Sequence, residues 1–158
     1  MTWYRSDEDL PPMADYDLIR HPRTYRYFDR PVLYPFGHGL SYTAFDYADL
    51  RAERCGDGLR VSAEVRNAGA VTGDEVAQLY IRRLSPSRTV HPIRRLIEFE
   101  RLHDLAPGER RRAEFTVNAG DLEIYVEDEG RKLIEPGQYL LYAGGSCLDE
   151  RVSAVIDL

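Results

Sequence analysis

The chain has 158 residues, 43% of them hydrophobic and 30% charged, which suits one domain with a buried core and argues against wholesale disorder. Its formal net charge of −6 speaks against nucleic acid or an anionic membrane as the main partner. No run of about 18 apolar residues marks a bilayer span.

The N-terminus, MTWYRSDEDLPPM, lacks the basic-then-apolar pattern of a secretory signal, so the expectation leans toward a cytoplasmic setting without assigning a compartment. Cys55 and Cys147 are the two cysteines; they stay free in a reducing compartment or pair if the fold joins them. The scattered His21, His38, His91 and His103 have no metal-ligand spacing, and no metal or cofactor is expected.

Up to Tyr47 lie 11 of the 17 aromatic residues and five of the nine prolines. Ser6 to Asp9 reads as a capping box, but Pro11 and Pro12 limit it to a single turn. Pro22, Pro31 and Pro35 then punctuate an extended chain. Disordered linkers are poor in aromatics, so residues 1–40 are expected to form an ordered arm lying across another surface. YPFGHGLSYTAFDY ends the arm and enters the second unit, residues 41–158. Gly37 and Gly39 permit a tight corner, Pro35 stiffens its entry, Phe36 and Leu40 are expected to plug an apolar pocket, and Ser41–Tyr47 to begin the first strand.

From there the period is two. Leu59, Val61, Ala63 and Val65 alternate with Arg60, Ser62, Glu64 and Arg66. Asn67-Ala68-Gly69 turns the chain into a β-prone segment centred on Val76–Ile81. IRRLIEFERL runs to the turn Ala106-Pro107-Gly108, and RRRAEFTVN points Ala113, Phe115 and Val117 inward. LEIYVED and RKLI precede the turn Glu135-Pro136-Gly137, followed by QYLLYAGGS and RVSAVIDL. About seven strands at regular spacing, with no convincing helix, predict an all-β, antiparallel sandwich.

Acidic runs at Asp7–Asp9 and Glu127–Glu129 read as solvated turns. The triple arginine Arg110–Arg112 sits between Glu109 and Glu114 and reads as a charged strand face. Ser, His and Asp are all present, but no nucleophile-elbow motif organises them.

YPFGHGLSYTAFDY resembles a hallmark of glycoside hydrolase family 3, the β-glucosidase and β-xylosidase group, where the catalytic core passes into a C-terminal fibronectin type III-like domain. TWYRSDEDLPPMADYD, RTYRYF, VRNAGAVTGDEVAQLYI, LAPGERRRAEFTV and EPGQYLLYAGGS resemble further family segments in the same order. The chain departs from the family's usual pattern at His91–Leu96, at Glu98 before Phe99, and at Gly145-Ser146-Cys147.

The resemblance implies an immunoglobulin/fibronectin type III-like sandwich and an accessory, non-catalytic role. Retaining glycosidases need a nucleophile and an acid/base carboxyl about 5 Å apart. In the family these lie on upstream domains, the nucleophile in a Ser-Asp-Trp-type motif. Here the single tryptophan is Trp3, and Ser6-Asp7 is followed by Glu8, so no catalytic residue is expected. The partner implied is the catalytic domains of a parent glycosidase. Trp3, Tyr4, Tyr25, Tyr27, Phe28, Tyr34, Phe36 and His38 are the candidate docking residues, with self-association of the isolated chain a second outcome of an uncovered aromatic face. Direct sugar binding is the weaker expectation, since the aromatics are interleaved with structural motifs rather than gathered on one cleft. The alternative function is a free-standing module binding protein or glycan on its own.

Overall fold

The computed structural model describes residues 2–158. Nine strands form among the described residues: β1 (Phe45–Cys55), β2 (Gly58–Asn67), β3 (Gly73–Arg83), β4 (Arg95–Leu105), β5 (Arg110–Val117), β6 (Ile124–Val126), β7 (Arg131–Leu133), β8 (Gln138–Gly144) and β9 (Val152–Asp157). Seven of them make two sheets, one ordered β1-β2-β5 and the other β4-β3-β8-β9, while β6 and β7 form a separate ribbon. All pairings are antiparallel.

The alternation read in the sequence places the core. Leu59, Val61 and Val65 of β2 and Ala113, Phe115 and Val117 of β5 face Ala77, Leu79, Ile81, Tyr139 and Leu141 of the opposite sheet, and all are buried. The β1 strand starts at Phe45 rather than Ser41. Ser41 instead turns the chain, its hydroxyl accepting from the Thr43 amide, so local side-chain bonding replaces the ladder there. At Asp49 the register of β1 slips, with a positive φ that aspartate tolerates. A short helix, α1 (Ala119–Leu122), follows β5, held by a reciprocal Asn118–Asp121 cap. Its single turn is too brief for a period to be read. Both acidic runs are single 3₁₀ turns, Asp7–Asp9 and Glu127–Glu129. The cysteines do not pair; Cys55 is exposed and Cys147 buried.

The arm lies on the outer face of the four-stranded sheet. There Tyr80 and Tyr142 stack with centroids 5.1 Å apart. Tyr25 meets Tyr80 edge-on and stacks on Phe36 at 4.1 Å. The Tyr25 hydroxyl accepts from the Leu96 amide, the Arg26 carbonyl from Ile93, and the Phe36 carbonyl from Cys147. Tyr80, Leu140, Tyr142 and Cys147 become a second small core beneath the arm. Covered on both faces, β8 is buried along almost its whole length, which is why QYLLYAG lacks alternation.

The corner after the arm is closed by a buried glutamine. The Gln78 amide donates to the carbonyls of Gly37 (3.1 Å) and Gly145 (2.6 Å), and its oxygen accepts from the Tyr80 hydroxyl at 2.6 Å. Gly37 has φ +83°, and a Cβ there would run into that amide. Gly37→Ala is therefore expected to lower stability by about 2–4 kcal/mol, combining left-handed strain with a broken buried bond. Denaturant unfolding checks it, and a loss under 0.5 kcal/mol would mean that the corner is not held by Gln78.

Leu40 does not plug a pocket. It is 93% exposed, and Tyr42 is fully exposed. Phe36 alone turns toward the sandwich, because the Gly37 turn and the Ser41–Thr43 turn throw the intervening residues outward.

Candidate functional site

The corner forms one wall of a cleft of about 640 Å³. His38, Leu40, Phe45 and Tyr47 line it from the corner and β1, Glu75 and Val76 from β3, and Asp149 and Arg151 from the β8–β9 connection. Strand β3 alternates here, sending Ala77 and Leu79 into the core and Tyr80 outward, and Glu75, on the core-facing side near the start of the strand, stands at the sandwich end.

The Tyr47 hydroxyl donates to Glu75 Oε1 at 2.5 Å. Asp149 is held twice, by Arg151 Nε (2.5 Å) and by the Gly145 amide (3.2 Å). Burial raises the Glu75 carboxyl above its ordinary range, helped by the Asp149 charge and opposed by the Tyr47 hydrogen bond. Burial, with the Glu75 charge beside it, likewise pushes the Tyr47 hydroxyl up. Asp74, at the cleft edge, has the opposite environment: the Asp104 amide, Arg101 and His103 all stabilise its charge, holding its pKa at about 2.

The folded state keeps the Glu75 proton more tightly than the unfolded chain, so the carboxyl's contribution to stability is full below about 4.5 and is lost as pH rises through the raised value. Glu75→Gln, which keeps an acceptor for Tyr47, is expected to melt higher than the parent chain at pH 7, with the gap narrowing at pH 4. A variant less stable than the parent by the same margin at both pH values would contradict the half-buried charge.

The residues singled out from the sequence divide into two sets. Phe28 is buried, with Tyr4 edge-on at 5.2 Å. Tyr25 and Phe36 lie in the seam with Tyr80, and Tyr27 is half-buried. Trp3 and Tyr34 remain more than half exposed and meet edge-on at 6.1 Å. Tyr34 in turn lies 5.4 Å from the exposed His38 ring, which lines the cleft. Trp3, Tyr34 and His38 therefore form a continuous track ending at the Glu75 cleft. Sequence reasoning missed Glu75, Tyr47 and Asp149; an acid within a charged β-prone strand carries no signal that it faces a cavity.

A family model described as a fibronectin type III-like domain matches residues 75–147. Over 95% of its length the chain is 38% identical to a xylan 1,4-β-xylosidase of Xylanibacter ruminicola, of which it spans 17%. The fold matches the GH3 β-glucosidase of Bifidobacterium adolescentis along the whole chain, with TM-score 0.88 and 26% identity, covering 25% of that structure. The chain carries a fibronectin type III-like domain of the family 3 glycoside hydrolases. A β-glucosidase of Streptomyces venezuelae solved with D-glucose shows the same likeness, with TM-score 0.79 and 32% identity over 85% of the chain and 18% of that structure. The fibronectin type III-like domain and its arm thus span about a sixth to a quarter of these relatives. Among its described residues no helix is long and apolar enough to cross a membrane.

Proposed function

We propose that the chain is the non-catalytic accessory domain of a family 3 β-glycosidase, packing on the catalytic domains of the same polypeptide and stabilising them near the active-site rim. The observation that carries this reading is the coverage: 95% of the chain aligns with only 17% of a xylosidase at 38% identity. The arm supports it. Its inner side is built into the sandwich, yet Trp3, Leu10, Tyr16, Leu33 and Tyr34 stay exposed, large apolar side chains that a docked domain would cover.

The cleft carboxyls are not arranged as a hydrolytic pair. Asp149 is committed to Arg151 and a backbone amide, and Glu75 to Tyr47. Purified chain is therefore expected to release no product from aryl β-glucosides or β-xylosides above background. Turnover that survives repurification and vanishes in Glu75→Gln or Asp149→Asn would overturn the accessory reading. The alternative, a free-standing module, would be favoured by saturable glycan binding to the isolated chain.

A further inference from the structure

Leu40 and Tyr42 are large apolar side chains standing almost wholly in solvent on a loop fastened at both ends. Before them, Gly37 is tied to Gln78 and the His38 amide to the Pro35 carbonyl. After them, the Thr43 hydroxyl donates to the buried Asn67 side chain at 2.6 Å, and Ala68 donates to the Ala44 carbonyl. A pinned loop loses little conformational freedom when it is covered, which suits an interface anchor.

The cleft behind the loop is acidic. Asp46, Asp74, Glu75 and Asp149 line it, with Arg151 as its lining guanidinium. Asp74 has Arg101 and Asp149 has Arg151. Glu75, the carboxyl most withdrawn from water, is met by the Tyr47 hydroxyl and, among the described residues, forms no ion pair. Arg151, paired with Asp149, offsets the Glu75 charge only in part, and a half-buried carboxylate without a direct ion pair is costly. A neutral sugar would add no charge to pair with Glu75, whereas an ammonium or guanidinium would neutralise it.

We infer that this cleft, with Leu40 and Tyr42 at its mouth, seats a basic segment of the parent glycosidase's catalytic portion, a lysine or arginine reaching Glu75 while the two side chains pack on apolar surface beside it. The inference rests on the accessory role. The relatives supply its occupant, since they extend four to six times the length of this chain, and the charge of the cleft selects the segment. The Trp3–Tyr34–His38 track continues the same face.

The test mixes the purified chain with the Xylanibacter ruminicola xylosidase from which the matching segment has been deleted, and follows co-elution and amide hydrogen exchange. Residues 38–47 and 73–76 are expected to gain protection. The double variant Leu40→Ser/Tyr42→Ser, which melts like the parent chain because both positions are exposed, is expected to bind roughly tenfold or more weakly. Glu75→Gln is expected to bind more weakly and with reduced salt sensitivity. A complex that protects other surfaces and ignores these substitutions would overturn the inference and leave the accessory role standing. Self-association of the chain through Leu40 and Tyr42, without binding to the deleted enzyme, would make a second copy the occupant and overturn it too. Absence of any complex, with the chain monomeric and the deleted enzyme still cooperatively folded by circular dichroism and thermal melting, would overturn the accessory role itself.

Discussion

Phe115→Ala is expected to destabilise the domain by about 3–5 kcal/mol. The side chain is fully buried in the C-terminal half of β5. Its neighbour across β2 is Val61, also fully buried, and the core it enters includes Leu79 and Leu141 of the facing sheet. Two packed sheets cannot collapse around a missing ring without shifting strand registers held by the ladder bonds within each sheet. Most of the vacated volume should persist, so the cavity penalty adds to the lost transfer free energy. Chemical unfolding should show the midpoint falling with the m-value unchanged. A change within 0.5 kcal/mol would mean that the ring does not fill the space between the sheets.

Asn67→Ala is expected to cost about 3–4 kcal/mol although the residue belongs to no hydrophobic cluster. Its side chain is fully buried at the end of β2 and forms four hydrogen bonds. Nδ2 donates to the carbonyls of Val71 and Leu105, both at 2.8 Å, and Oδ1 accepts from the Thr43 hydroxyl (2.6 Å) and the Gly69 amide (3.0 Å). One side chain thus joins the entry loop, the β2–β3 turn and the end of β4. Truncation leaves several polar groups without partners, each worth about 1–3 kcal/mol where water cannot reach; those nearer the surface rehydrate, which sets the total below the sum. Thr43→Val, removing a single contact, should cost about 1 kcal/mol. Equal costs for the two variants would show that the asparagine is not the hub.

These two residues mark what the sequence could and could not disclose. Phe115 was readable because Ala113, Phe115 and Val117 alternate with charged neighbours, and the same period exposed the inner face of β2. Asn67 looked like an ordinary turn residue, since its work depends on carbonyls distant in sequence. Leu40 shows the converse failure: apolar character in a glycine-rich corner suggested burial, but two successive turns send it into solvent. β8 concealed its strand period because the arm covers its second face. Of the candidate docking residues, Tyr25 and Phe36 lie within that seam, while Trp3, Tyr34 and His38 are exposed. Glu75 was illegible for a physical reason: its raised pKa arises from burial and from Asp149, 74 positions further on.

A fibronectin type III-like domain that works, as proposed above, as one part of a family 3 glycosidase belongs to a longer polypeptide. The most direct measurement is the size of the native polypeptide, detected in its source cells with an antibody raised against this chain and checked against the reading frame. A polypeptide roughly four to six times as long as the chain is expected, from the share of its relatives that it spans, with barrel and α/β domains encoded upstream in the same frame. A native product of only 158 residues, translated from its own start codon, would contradict it.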